Sequence, residues 1–247
     1  MTADEYREIM ETELAWRQEE FAFFKNQLNE VPDGQRDRYR KGLMLILQTH
    51  LEGYVAICLQ TYIQYINSRQ LTGSEVSLRL MAAGMQKIKK TEEVREQQGT
   101  GWPPEWYPEQ AEDADSYPCY EAPADDRLYR FYRQVDLLEK AEHLKGQVLK
   151  LDDRLVDLKY DCGYLSVQTN LYRLGIPVGL FQAYQEDLDA FVHSCGSLAR
   201  GIIRSGVTRQ ELTEWESKVF RIAAGVMRLL YDYVKQEKYR TDPGRNA

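Results

Sequence analysis

Along most of the chain the apolar residues recur at helical intervals. From about Ala3 to Asn29, Tyr6, Ile9, Met10, Leu14, Trp16, Phe21, Phe23, Phe24 and Leu28 stand amid Glu, Arg and Gln, most of them on one stripe. Val31-Pro32-Asp33-Gly34 breaks the pattern, because Pro disfavours the helical region for its predecessor and Asp-Gly suits a tight turn. An antiparallel helical pair is expected. From Gly42 to Ile66 the sequence is apolar nearly all round, yet Gln48, His50, Glu52 and Gln60 make it too polar for a membrane span, so it reads as the central buried helix of a bundle. His50 is accordingly expected to be a buried, hydrogen-bonded residue rather than a catalytic one. Thr72-Gly-Ser-Glu75 has the form of a capping box and predicts a helix to about Lys90, whose Lys87, Lys89 and Lys90 oppose the negative end of the helix dipole.

The second half continues the pattern. From Asp126, Leu128, Phe131, Tyr132, Val135 and Leu138 line one side of a helix, and Arg127, Arg130 and Arg133 form a solvated basic face on another. Val148 to Tyr164 is ambiguous: its leucines allow a short helix, while Val156-Asp-Leu-Lys-Tyr160 alternates as an extended piece would. Gly175 and Pro177 suit a helix stop and a fresh start. A helix from about Leu180 to Ile203, stopped by Gly206, follows. Thr208-Arg-Gln-Glu211 is a second capping box opening a last helix to Lys238, and the tail from Thr241 to Ala247 is expected to fray. The fold class predicted is all-α, an up-and-down bundle of five to seven helices in one domain spanning residues 1–247.

One stretch departs from this. Between Glu96 and Asp126 lie five of the eight prolines, nine acidic residues and no Lys or Arg, so continuous helix or sheet is excluded there. An irregular insertion carrying Trp102, Trp106, Tyr107, Tyr117 and Tyr120 has more aromatic surface than a plain linker, which makes Trp102, Trp106 and Tyr107 candidates for binding a protein partner. The net charge of −7 argues against general nucleic-acid or membrane-surface binding. Cys58, Cys119, Cys162 and Cys195 show neither metal-ligand spacing nor a disulfide framework; reduced thiols in a cytoplasm, with no metal and no cofactor, are the simplest reading. The charged N-terminus lacks the apolar run of a signal peptide.

Three ordered patches carry a family resemblance. Leu47-Gln-Thr-His-Leu-Glu-Gly-Tyr-Val55 is similar to the L-x-x-x-W/L-E-G-F-V run in the second helix of a toxin-like HEPN subfamily. Ser166-Val-Gln-Thr-Asn-Leu-Tyr-Arg-Leu-Gly-Ile-Pro177 partly resembles the segment before that subfamily's catalytic helix. Ala199-Arg-Gly-Ile-Ile-Arg-Ser-Gly206 resembles the R-N-x-I-A-H-G element, with Arg200, Ile203 and Gly206 in place, Gly201 at the Asn position, Arg204 at the Ala position and Ser205 at the His position. The resemblance implies an all-helical fold. In its active members the Arg and the His face their symmetry mates across a dimer and cleave RNA without metal.

Here the proton-transferring residue is missing from the motif. His is the side chain best poised for that task near neutral pH, and Ser205 alone is neither base nor charge. His193, seven residues before Arg200, is a weak substitute. Within a helix Arg200 and Arg204 would share a face and could bind RNA or an acidic partner. Three functions stay open. One is a degenerate HEPN-like interaction or regulatory subunit in a prokaryotic defence setting such as CRISPR, anti-phage or toxin–antitoxin systems, pairing as a homodimer or heteromer through the helices around 180–238. Another is a metal-independent ribonuclease with an altered site. The third is a helical adaptor that uses the aromatic insertion.

Overall fold

A computed structural model describes residues 1–85, 126–158 and 162–241. The described part is helical: α1 (Ala3–Asn26), α2 (Asp33–Ser68), α3 (residues 78–85), α4 (Asp126–Lys145), α5 (Tyr164–Arg173), α6 (Gln185–Ala199) and α7 (Arg209–Lys235). Short 3-10 turns occupy Gln27–Glu30, Asp153–Leu155 and Gln182–Tyr184. No strand is present among the described residues, only the isolated bridges Thr72–Val148 and Val76–Arg240.

The bundle is organised round α2. Leu43, Leu47, Leu51, Tyr54, Val55, Cys58, Leu59, Tyr62, Ile63 and Ile66 of that helix are buried on several faces, so one partner helix cannot cover it. α2 is long and apolar enough to cross a membrane by length and composition alone, but half of its most apolar window lies inside the bundle. α1 runs antiparallel to it. The hydroxyl of Tyr6 donates to the Cys58 carbonyl, that of Tyr54 to the Met10 carbonyl, and Arg17 to the His50 carbonyl. α6 is also antiparallel, with the Cys195 thiol facing the Met44 carbonyl at 3.6 Å. α7 runs antiparallel to α1, matched by the Phe21–Phe220 edge contact and the Lys25–Glu216 ion pair at 2.5 Å. The N-termini of α2 and α7 therefore share one end of the bundle with the C-termini of α1 and α6.

On α1, Tyr6, Met10, Arg17 and Phe21 turn inward, while Ile9, Trp16 and Phe23 of the apolar pattern are exposed. Arg17 tolerates burial because it is paired: one guanidinium nitrogen reaches Glu13 at 2.7 Å and another the His50 carbonyl at 3.2 Å. α7 begins at the predicted capping box, with Thr208 and Glu211 each bonded to the other's backbone N–H.

Other expectations need correction. Thr72 does not start a helix. The N–H groups of Gly73 and Ser74 are claimed by the carbonyls of Gln147 and Lys145, so the segment becomes a turn docked on the end of α4, and α3 begins at 78. Lys87, Lys89 and Lys90 lie outside the described residues. On α4 the expected stripe is only partly seen: Phe131 and Leu138 are 63% and 69% exposed, Val135 is half-buried, the side chains of Leu128 and Tyr132 lie outside the described residues, and Leu144 is buried. Val148 to Tyr164 is neither a regular helix nor a strand where it is described, but a chain with one 3-10 turn capped by Asp152. Thr241 does not fray: its N–H bonds the Glu75 carbonyl and its hydroxyl the carbonyls of Ser74 and Val76.

Asn170 holds the irregular segment to α5. It is 1% exposed; its Oδ1 accepts from the Asp157 N–H at 2.8 Å, and its Nδ2 donates to the carbonyls of Asp157 and Ser166. Asn170→Ala removes these three hydrogen bonds, at about 0.5–1.5 kcal/mol each. Urea titration is expected to show a fall in the unfolding free energy of at least one such bond, with Asn170→Asp intermediate because it keeps the acceptor and loses the donor.

Candidate functional site

The α6–α7 connection, residues 200–207, is built by a helix stop. Gly201 adopts φ +69, the left-handed conformation that suits glycine. The N–H of Ile202 then returns to the Ser197 carbonyl and that of Gly201 to Leu198, the bonding of a Schellman turn. α6 thus ends at Ala199, not at Gly206. This overturns the expected helix to Ile203, and with it the shared helical face of Arg200 and Arg204: Arg200 is the C-cap, and Arg204 lies beyond the reversal.

The loop then lies across the first turns of α2. Lys41 donates its Nζ to the carbonyls of Ile203, at 3.1 Å, and Arg204, at 2.9 Å. The buried Arg40 sends Nε to the Val207 carbonyl at 2.5 Å and pairs with Asp37, while the Val207 N–H reaches the Asp37 carbonyl at 3.2 Å. Gly206 is the close approach in this contact, since a Cβ there would collide with the side chain and Cα of Asp37. The glycine expected to stop a helix instead lets the loop dock.

The motif side chains are dispersed. Arg200 folds back along α6 and donates Nε to the Gly196 carbonyl at 3.0 Å, with its guanidinium over the space left by the missing Gly196 side chain. Arg204 is exposed and unpaired among the described residues. Ser205 is exposed, and no base lies within hydrogen-bond reach of its hydroxyl among the described residues. Ile202 and Ile203 are 68% and 36% exposed.

A family model described as MAE_28990-like HEPN matches residues 6–239. The chain belongs to the HEPN family. No curated protein and no solved structure gives a significant match.

Within this HEPN bundle the three histidines are far apart in role. His193 is exposed on α6, two turns before Arg200. His143 on α4 bonds Gln147. His50 is buried in the α1–α2 seam, with Nε2 3.4 Å from Glu20 Oε2 and lacking a well-formed hydrogen bond, and with Trp16 edge-on. The hydrogen-bonded state expected for His50 is therefore incomplete. Burial lowers the His50 pKa below its ordinary value; Glu20 opposes the shift and Arg17 adds to it. The HEPN patch Leu47–Val55 thus serves packing: Leu47, Leu51, Tyr54 and Val55 are core, and Gly53 gives the Arg17 guanidinium room. Cys58, Cys162 and Cys195 are free and buried, and burial pushes the thiols of Cys58 and Cys195 up to about 12, where they stay protonated. No group of three His, Cys, Asp or Glu among the described residues could hold a metal ion. Trp102, Trp106, Tyr107 and Cys119 lie outside the described residues, and so do the side chains of Arg127, Arg130 and Arg133.

Sequence reasoning missed Lys41 and Arg40 as partners of the motif loop. Their signal was faint, a basic pair at the polar start of an otherwise apolar helix.

Two outcomes follow from this geometry. Nothing lies within 4 Å of a Cβ at position 201, so replacement there meets only backbone strain; Gly201→Val is expected to cost roughly 1–2 kcal/mol and Gly201→Asn, which tolerates this conformation, clearly less, as read by thermal unfolding. For His50 the sign is set by the lowered native pKa. The unfolded chain takes up more protons as pH falls below about 6.5, so stability contributed by the neutral ring is present above that pH and lost beneath it. The urea midpoint of the native protein is expected to fall between pH 7.5 and 5.5 more steeply than that of His50→Gln; equal slopes would exclude His50 as the titrating group.

Proposed function

We propose that this HEPN protein is catalytically degenerate and acts as an interaction or regulatory subunit, in a cytoplasmic prokaryotic defence setting of the kind the family suggests. One observation carries the reading. At the position where the active motif places His stands Ser205, with no base in reach among the described residues, and the loop around it is closed onto α2 by Lys41 and Arg40. A side chain that exchanges protons near neutral pH is what metal-free RNA cleavage requires, and an unassisted hydroxyl does not provide it.

A second reading, an altered ribonuclease, is favoured by the direction in which Arg200 folds. Its guanidinium lies back over Gly196, toward the turn that holds the exposed His193. A phosphate bound there would meet a cation and an imidazole from one helix.

Purified protein incubated with mixed RNA and a chelator is expected to leave the RNA intact, matching an Arg200→Ala control. Cleavage that disappears in Arg200→Ala, and also in His193→Ala, would replace the first reading with the second.

A further inference from the structure

Among the described arginines, Arg7, Arg17, Arg36, Arg40, Arg69, Arg154, Arg221 and Arg240 each pair with a carboxylate. Arg38, Arg79, Arg173, Arg200, Arg204, Arg209 and Arg228 have no ion pair among the described residues. Arg79 lies over the Tyr172 ring, and Arg200 and Arg228 reach carbonyls of their own helices. Arg38, Arg204 and Arg209 are exposed, and the backbone brings these three to one end of the bundle. Arg204 is joined through its carbonyl to Lys41, Arg38 neighbours Asp37, which accepts from Val207, and Arg209 begins α7 two residues later. No acidic residue occurs between Asp189 and Glu211. The carboxylates at this end, Asp33 and Asp37, are paired with Arg36 and Arg40, so in a chain of net charge −7 three further guanidinium groups there are a local excess of positive charge.

Between the arginines of the loop stand Ile202 and Ile203, 68% and 36% exposed. The loop cannot turn them inward, because Gly201 reverses the chain just before them and Lys41 and Arg40 pin the carbonyls of 203, 204 and 207. An exposed aliphatic pair at the same end of the bundle as unpaired guanidinium groups matches a ligand that brings apolar side chains and carboxylates together. Isoleucine offers a nucleic-acid base no π-face to stack on, whereas an acidic protein segment gains both apolar burial and charge-assisted bonds.

We infer that the end of the bundle formed by Arg38, Ile202, Ile203, Arg204 and Arg209 is a docking surface for an acidic, aliphatic-rich segment of a partner protein. This rests on the reading of the chain as an interaction subunit and names the chemistry of its partner. Binding combines burial of the two isoleucines with pairing to the three arginines, so it weakens with salt and depends on both side-chain types.

Fluorescence anisotropy with the full chain tests this, using labelled 15-residue peptides of alternating Glu and Leu, of Glu alone, and of alternating Lys and Leu, beside a 15-nucleotide single-stranded RNA. The Glu/Leu peptide is expected to bind at least tenfold more tightly than the other probes. The combined Arg38→Glu, Arg204→Glu and Arg209→Glu substitutions should lose that binding tenfold or more, and Ile202→Ser should weaken the Glu/Leu peptide several-fold while leaving the Glu-only peptide unchanged. All four side chains are exposed, and circular dichroism checks that each variant is folded. Equal affinity of the triple variant overturns the inference. So does tighter, arginine-dependent binding of the RNA, which makes the face a nucleic-acid surface, or self-association lost in the triple variant without peptide binding, which makes the occupant a second copy. Arg200-dependent RNA cleavage in the chelator assay would remove the interaction-subunit reading by itself, whatever the peptides show.

Discussion

α2 presents apolar side chains to nearly every direction over its central turns, and no arrangement that leaves it half covered can be stable in water. Each buried Leu, Ile, Met or aromatic residue on it is worth about 1.5–3 kcal/mol relative to exposure. Four helices meet that demand: α1 and α6 antiparallel to it, α7 parallel, and the shorter α5 closing a gap against α2 and α6. The remaining elements are arranged by what this core leaves over. Residues 71–76 and the end of α4 tie to one another through backbone bonds, and the stretch before α5 hangs on Asn170.

The same packing fixes the α6–α7 loop. Because α2 and α7 start at the end where α6 stops, the chain must turn within a few residues and pass over the first turns of α2. Gly201 makes the reversal and Gly206 the close approach. The consequence is chemical. Arg200 stays with α6, Arg204 goes to the outer surface, and two cations of α2 satisfy the loop carbonyls that would otherwise face solvent.

Polar groups inside the bundle act as register marks. Arg17, buried through its pairing with Glu13 and the His50 carbonyl, fixes how α1 slides along α2, as do the hydroxyls of Tyr6 and Tyr54. Asn170 does the same for α5. A shift of one helical turn would strand each of these groups without a partner, at a cost larger than the apolar surface gained.

Amphipathic periodicity settled the helices themselves. The apolar circumference of α2 identified the central helix, Thr208 with Glu211 marked the start of α7, and Gly175 the stop after α5, because these signals act within one turn of chain and need no distant partner. The family, too, was legible in three short patches. The outcome at Thr72 was decided elsewhere: its capping box is real in the bond to Glu75, but the donors of the next turn belong to residues some seventy positions away. So was the outcome at α6, where Gly206 was expected to stop the helix and Gly201 does. Gly206 is instead taken up by the docking of the loop on Asp37, Arg40 and Lys41. Local patterns decide what a segment can become, and the distant groups that take its hydrogen bonds decide what it does become. That is why the missing imidazole could be read from the chain, and the unpaired arginines that share one end of the bundle with Ile202 could be found only in three dimensions.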